Sequence, residues 1–353
     1  MNKWVKNFFL LGTSFYLVGF LFLFLTGSLF YFGEAVSYEG LLRMLQNLPF
    51  ATLPHELPVS LTPYSPLFLL PLTLAGKLLH IHSIDKAMIL ARVYHGLLLG
   101  ILFLSLNRMR KHFFPSNSNG ASFLFACGLI FFYSPTMELA LRPDTISFLC
   151  ECWAIYFILS FLKTDQNRFL WLASLSFSSA IAFKLNTLGC FLGTLGFFFS
   201  SKQWTSFLRL SLPTFVLTIL FLWFHQVILG DVFSQNILVS IQSQLWHWAA
   251  ALDVYFKLFK YFLFPLGIYF FLIVFGVRSF EDKEQSRLFS WILSASFLVA
   301  FLGQMKWGAF HNYFLGTLYL GLIPASCGIF RLAHTSPKAT YGILGSLMVL
   351  FMA

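Results

Sequence analysis

The stretch "ILARVYHGLLLGILFLSLNRMRKH", residues 89–112, joins a long apolar run directly to a cluster of basic side chains. The apolar part belongs to a predicted span at residues 86–106, about the 20 residues that a helix needs to cross a bilayer. The basic part, residues 107–112, marks the cytoplasmic end of that span, because Lys and Arg are enriched in cytoplasmic loops. This stretch therefore predicts both a membrane helix and its direction.

The composition of the whole chain is also strongly apolar. Of 353 residues, 58% are hydrophobic, 20% are aromatic and only 10% are charged. In lipid, only helices and closed barrels satisfy every backbone hydrogen bond, and the alternating pattern of a barrel does not occur in the sequence. The sequence therefore predicts an all-α, polytopic integral membrane protein. We expect a single membrane domain over residues 1–353, with no separate soluble domain.

Roughly eleven transmembrane helices follow from the hydropathy along the chain. We predict spans at residues 8–32, 86–106, 121–135, 146–162, 169–183, 185–200, 210–229, 256–277, 288–305, 313–330 and 340–353. The first run follows Lys3 and Lys6 and is roughly twice as long as the apolar core of a signal peptide, so we predict an uncleaved span. The N-terminus is then cytoplasmic, and the chain lies in the cell (inner) membrane as a multi-pass protein.

One apolar segment is predicted not to cross. "YSPLFLLPLTLAGKLL", residues 64–79, is short and contains two prolines. If it crossed, residues 107–112 would face outside while Lys3 and Lys6 face inside, against the usual distribution of basic residues. We therefore place it at the outer interface, within a first outer loop at residues 33–85 that holds short interfacial helices. A second outer loop is predicted at residues 230–255.

This topology also explains the charge of the chain. The net charge of +10 reflects basic cytoplasmic loops, because no soluble stretch is long enough to form a nucleic-acid-binding domain. Charged residues that lie within or against apolar sequence are costly there and are candidates for function. On the outer side these are Glu34, Glu39, Arg43, Lys77, Arg92, Arg142, Asp144, Lys184 and Lys306.

Six short motifs follow one another along the chain. They are "GEAVSYEG" (33–40), "TPYSPLFLLPL" (62–72), "ILARVYHGLLLGILFL" (89–104), "LRPDTISF" (141–148), "AFKLNT" (182–187) and "KWGAFHNYFL" (306–315). The ordered set resembles the GT-C membrane glycosyltransferases, and within them the protein-mannosyltransferase and aminoarabinose-transferase group. The resemblance implies transfer of a sugar from a polyprenyl-phosphate carrier to a lipid, glycan or protein acceptor, with inversion, at the extracytoplasmic face.

The resemblance also implies a catalytic base directly after the first span, and this role falls on Glu34. The relatives commonly carry an Asp-Glu pair, whereas Gly33 occupies the first position here. Either Glu34 reaches the acceptor with its longer side chain, or Glu39 takes the role, or the chain is an inactive member. On a helix the two glutamates would be about 140° apart, so only one would face a cavity. Glu34 as a solvated carboxylate, or as a partner of Arg43, is the alternative.

The residue types fit this chemistry. A hydroxyl that attacks an anomeric carbon needs a carboxylate to take its proton, and a phosphate leaving group needs cations or hydrogen-bond donors. Asp144 is a candidate supporting carboxylate, or alternatively the N-cap of the next helix. The candidates for binding donor phosphate or sugar are Arg92, Arg142, Lys184, Lys306, Tyr64, Lys77, His311 and Asn312. For Arg92 the alternative is an anchor at the membrane rim, and for Lys77 a snorkelling side chain.

No cofactor is predicted. His80 and His82 lack a third ligand in register, so a metal site is not indicated, although a divalent metal is left open. Two other functional classes remain. A transporter or lipid flippase would need inverted repeats and charges near the bilayer midplane, whereas the charges singled out here cluster at one rim. An inactive scaffold with this fold would bind no carrier.

Overall fold

The computed structural model describes residues 32–48, 66–116, 118–133, 143–184, 187–230, 267–303 and 314–336, with single positions at 14, 235, 252, 338 and 342. Within these ranges the chain forms helices and turns, and no strand occurs. The helices are α1 Phe32–Leu45, α2 Leu70–Leu78, α3 Ile84–Phe113, α4 Gly120–Tyr133, α5 Asp144–Thr164, α6 Arg168–Phe183, α7 Leu188–Ser200, α8 Trp204–Leu229, α9 Gly267–Val277, α10 Lys283–Gly303, α11 Leu315–Leu320 and α12 Leu322–Thr335. The predicted all-α membrane fold is confirmed.

The number of spans stays a prediction. Among the described residues, α3, α5, α8 and α10 are long and apolar enough to cross a bilayer, and α4, α6, α7 and α9 are shorter apolar helices. The predicted spans at 8–32 and 340–353 lie almost wholly outside the described residues. The nine residues of α2 are about 14 Å long, which is less than half of the hydrocarbon core. This helix is therefore too short to span.

The basic residues of the long and short helices lie at one end of the bundle. Arg209 at the start of α8 donates to Asn167 at the start of α6, with 2.7 Å between Nη1 and Oδ1. Arg287 near the start of α10 donates to the carbonyl oxygen of Ser200 at the end of α7, at 3.0 Å. We call this the basic end; its residues are Arg108, Arg110, Lys111, Lys163, Arg168, Lys202, Arg209, Arg278, Lys283, Arg287 and Arg331.

Small residues bring the helices together. A Cβ atom on Gly189 or Gly193 of α7 would lie only 2.5 Å from the Cα atoms of Ser296 and Ile292 of α10, respectively. The two backbones therefore touch, as is typical of helix pairs in membranes. Around this pair, α6 packs between α5 and α8, α3 packs on α5, and α4 packs on α12.

Candidate functional site

A buried ion pair lies at the end of the bundle opposite the basic end. The Lys184 ammonium donates to Oδ1 of Asp144, and these residues are only 9% and 5% exposed. Removing two charges from water costs free energy that the attraction between them does not always repay. Ionisable residues at membrane depth are therefore candidates for function by default. We call this end of the bundle, marked by Asp144 and Lys184, the site end.

The local backbone fixes both partners. Asp144 is the first residue of α5, and Lys184 directly follows the last residue of α6 in an extended conformation. The carbonyl oxygen of Ala180 accepts from the Ser147 hydroxyl of α5 at 2.7 Å and from the Lys184 backbone N–H at 3.0 Å. The Thr187 hydroxyl donates to the Lys184 carbonyl oxygen at 2.7 Å. This corner between α5 and α6 holds the lysine opposite the aspartate.

The interpretation of Asp144 as an N-cap is wrong. Pro143 holds the N-cap position, and no side chain caps the helix there. The Asp144 carboxylate instead lies in the first turn, where the positive end of the helix dipole favours an anion, and it pairs with Lys184. The sequence showed an acidic residue at a helix start, but the partner that binds it is 40 residues away.

Helix α3 adds two buried polar residues to the site end. Arg92 and His95 are 5% and 2% exposed, and a spacing of three residues puts them on one face of α3. Nε2 of His95 lies 3.4 Å from Oγ1 of Thr145, the residue after Asp144. Arg92 is thus buried inside the bundle and not at an exposed rim. His95 was not predicted, although its spacing from Arg92 was a usable signal.

Glu151 was also not predicted. It lies two turns after Asp144 on the same face of α5, is 3% exposed and falls within electrostatic range of Lys184. It makes no hydrogen bond or ion pair that the structure records with another described residue. The signal was a lone glutamate inside the predicted span 146–162. The charges therefore do not all cluster at the rim, because Glu151 lies about 10 Å deeper than Asp144.

The helix that carries the candidate bases lies close to this corner. Glu34 and Glu39 both belong to α1, which confirms a helix there, but the Glu34 side chain is outside the described part of the chain. Glu39 is partly exposed. Tyr38 of α1 belongs to a small apolar cluster that also contacts Ile146 of α5 and Phe183 of α6, next to Lys184. The structure thus connects α1 to the corner that holds the ion pair.

The remaining predicted residues divide into two groups. Lys77 is exposed on α2, and its ammonium donates to the side-chain oxygen of Asn47 in the turn after α1. Five candidates lie outside the described residues and stay predictions: Tyr64, Arg142, Lys306, His311 and Asn312. Within the described ranges, no group of three His, Cys, Asp or Glu side chains is close enough to hold a metal ion.

Two solved structures share this fold. Both are of ArnT from Cupriavidus metallidurans, one in the apo state and one bound to undecaprenyl phosphate. Their TM-scores are 0.67 and 0.65, each at 15% sequence identity and over 97% of this chain. The chain therefore has an ArnT-like membrane fold, which agrees with the resemblance found in the sequence.

The chain spans only 62% and 63% of the lengths of the two ArnT chains. No protein-family model matches the sequence, and no curated protein sequence does. The likeness to ArnT therefore concerns the fold, while the chemistry has to be argued from the residues of this chain.

Proposed function

We propose that this chain is a membrane glycosyltransferase that moves a sugar from polyprenyl phosphate to an acceptor hydroxyl. The observation that carries the proposal is the buried Asp144–Lys184 ion pair, with Arg92 and His95 buried beside it at the site end. One ArnT structure contains undecaprenyl phosphate, which supports a carrier of this class for the same fold here.

Lys184 and Arg92 would bind the carrier phosphate. Ammonium and guanidinium groups form strong, charge-assisted hydrogen bonds with phosphate oxygens. Inside a bundle such bonds are stronger than in water, so they stabilise the charge that develops on the leaving phosphate. Asp144 would hold the Lys184 ammonium in place until the phosphate binds. When the phosphate binds, the Lys184 ammonium would donate to a phosphate oxygen in place of Asp144. Asp144 would then act as a supporting carboxylate.

The base would come from α1, with Glu34 in this role and Glu39 in reserve. In a single displacement the acceptor oxygen forms a bond to the anomeric carbon as the bond from that carbon to the phosphate oxygen breaks. The acceptor proton passes to the carboxylate, and the polyprenyl phosphate leaves with the bonding electrons. Attack from the face opposite the leaving group inverts the anomeric centre. The acceptor is a lipid, a glycan or a protein.

The other predicted residues would complete the donor site at the extracytoplasmic face, since the positive-inside rule assigns the basic end to the cytoplasm. They are Arg142, Lys306, Tyr64, Lys77, His311 and Asn312. The chain would act as one multi-pass domain in the inner membrane, in contact with membrane lipids and without nucleic acid.

The test is release of polyprenyl phosphate from a panel of polyprenyl-phosphate sugars by the purified protein in nanodiscs. We expect one sugar to turn over, and Glu34→Gln or Lys184→Met to lower the rate at least about 100-fold. The matched control is Lys163→Met, which removes an exposed lysine at the basic end and should leave the rate unchanged.

If folded wild-type protein turns over no donor, the glycosyltransferase proposal fails. The transporter and scaffold interpretations then take its place, and Gly33 becomes the first residue to examine. If a donor turns over and Glu34→Gln keeps full activity while Glu39→Gln does not, the base is Glu39.

A further inference from the structure

His95 is a buried polar residue that the chemistry proposed above does not use. It is 2% exposed and lies on the face of α3 that packs into the bundle, three residues after Arg92. The third buried polar residue of α3, Arg110, lies at the basic end, where its guanidinium donates to the carbonyl oxygen of Ser118 at 3.0 Å. A buried imidazole costs free energy unless it is hydrogen-bonded, so its contacts indicate what the residue does.

His95 is joined to α5 through Thr145. Nε2 of the imidazole lies 3.4 Å from Oγ1 of Thr145, a distance at the long end of the hydrogen-bond range. The hydroxyl can either donate or accept, so both neutral forms of the imidazole allow this bond. Thr145 is 5% exposed and directly follows Asp144 in the first turn of α5. The contact therefore ties α3 to the turn that carries the aspartate of the ion pair.

The register of α3 against α5 follows from this contact. Both helices begin at the site end and carry basic residues in their last turn. At 1.5 Å per residue, Arg92 lies about 4.5 Å from His95 towards the site end. Asp144 lies about 1.5 Å from Thr145 in the same direction. Because the contact puts the two helices level at this point, the backbone of Arg92 is held within one helical turn of that of Asp144.

Deeper in the bundle, α3 and α5 contribute apolar residues to one core. Leu99 and Leu102 of α3 belong to the same apolar cluster as Ile155 of α5. Apolar attraction is not directional, whereas a hydrogen bond requires a narrow range of distances and angles. The bond between His95 and Thr145 therefore fixes the position of α3 along α5 more sharply than the apolar contacts do.

We propose that His95 is a positioning residue, whose bond to Thr145 holds Arg92 in place to bind the carrier phosphate. The inference rests on the proposed function, in which Arg92 and Lys184 bind that phosphate. A guanidinium binds phosphate oxygens in a planar, bidentate geometry, which a shift of its helix disturbs. In enzymes, a displacement of about 1 Å can lower the rate about 100-fold. In this role His95 does not touch the phosphate; it acts on Arg92 through the position of α3.

The test measures binding of undecaprenyl phosphate by purified protein in nanodiscs. Thr145→Val removes the hydroxyl and keeps the shape of the side chain, so we expect it to weaken binding about tenfold, as for the loss of one hydrogen bond. Thr164→Val is the matched control. It removes a hydroxyl at the other end of α5, which donates to the Ser160 carbonyl oxygen at 2.8 Å, and it should leave binding unchanged.

Two variants of His95 test the same bond from its other side. His95→Gln keeps a polar atom as far along the side chain as Nε2, so it should bind undecaprenyl phosphate as the wild type does. His95→Asn keeps a polar atom only at the position of Nδ1 and is too short to reach Thr145, so it should weaken binding about tenfold. Equal affinities of the two variants would overturn the role of the bond.

A comparison in an Arg92→Met background separates positioning from a general loss of structure. If the bond acts through Arg92, Thr145→Val should weaken binding no further in a protein that already lacks the guanidinium. The same loss in both backgrounds, or no loss in the wild-type background, overturns the positioning role. His95→Asn provides the same comparison if Thr145→Val fails to fold. If the wild type binds no undecaprenyl phosphate, the proposed function itself fails, and the positioning role fails with it.

Discussion

At the scale of single residues, the Asp144–Lys184 pair makes a prediction about stability. Lys184→Met removes the cation and leaves a buried carboxylate without its lysine partner, which typically costs about 3–5 kcal/mol. The double variant Asp144→Leu with Lys184→Met removes both charges, so most of the loss should be recovered. The measurement is the melting temperature of each variant in detergent.

One result would contradict this explanation of the lost stability. If the double variant melts no higher than Lys184→Met alone, the loss comes from the lysine side chain and not from an uncompensated carboxylate. Lys163→Met at the basic end is the control for the removal of an exposed lysine, and its melting temperature should remain that of the wild type.

Two buried tyrosines give a second prediction at this scale. Tyr269→Phe removes a hydroxyl that donates to the Leu318 carbonyl oxygen, so it should lower the free energy of unfolding by about 1 kcal/mol. Tyr319→Phe removes a hydroxyl that has no partner within the described part of the chain, so it should not lower it. Thermal melting without donor checks both, and equal losses would contradict the distinction.

The sequence predicted part of the site at residue level. Lys184 and Asp144 were recognisable because charges are conspicuous against apolar sequence. Their pairing was not, since it depends on how α5 and α6 pack. Glu151 and His95 were overlooked because each lies in the middle of an apolar run, where a single polar residue hardly changes the hydropathy. Whether such a residue faces lipid or its neighbours is decided by the packing alone.

At the scale of helices, the contact between α7 and α10 leaves no room for a side chain. Even the single methyl group of Gly193→Ala would lie 2.5 Å from the Cα atom of Ile292 and 2.6 Å from the carbonyl oxygen of Trp291. These are backbone atoms, so the helices must move apart, which should cost about 1–3 kcal/mol. The measurement is the temperature at which purified protein aggregates.

Gly100→Ala is the matched control for this prediction. It also places a methyl group on a helix, α3, but no atom lies within 4 Å of the new Cβ position. Its aggregation temperature should equal that of the wild type or exceed it, since Ala favours helix more than Gly does. An equal fall in both variants would show that the close contact between α7 and α10 is not the cause.

The helices themselves were easier to predict than the neighbouring helices against which each one packs. Hydropathy located α3 to α10, whereas the single span predicted at residues 313–330 is divided into α11 and α12. Charge argued against a span at residues 64–79, and the nine residues of α2 agree with that. For residues 33–85 the prediction was an outer loop with interfacial helices; the structure shows that this segment opens with helix α1, Phe32–Leu45, while its outer position stays a prediction. The close approach of α7 to α10 could not be deduced, because glycines in an apolar run also occur on faces that contact lipid.

At the scale of the whole molecule, the fold agrees with ArnT although the sequences share only 15% identity. The order of the motifs and the distribution of charge were enough to indicate the fold class. The donor and acceptor depend on details of the binding site that no motif encodes, because one fold supports many specificities.

The separation of basic end and site end predicts the orientation of the molecule in the membrane. Lys163 at the end of α5 and Lys77 on α2 are both exposed, so a cysteine in place of either should react with a maleimide. In intact cells, a reagent that cannot cross the membrane should label Lys77→Cys and not Lys163→Cys, because basic loops stay in the cytoplasm. After the cells are permeabilised, Lys163→Cys should also react. The wild-type protein gives the background labelling, because its own cysteines all lie within apolar helices. Labelling of Lys163→Cys alone in intact cells would put the ion pair on the cytoplasmic face and remove the extracytoplasmic assignment of the reaction. Labelling of both variants would show that the two residues do not lie on opposite sides of the membrane.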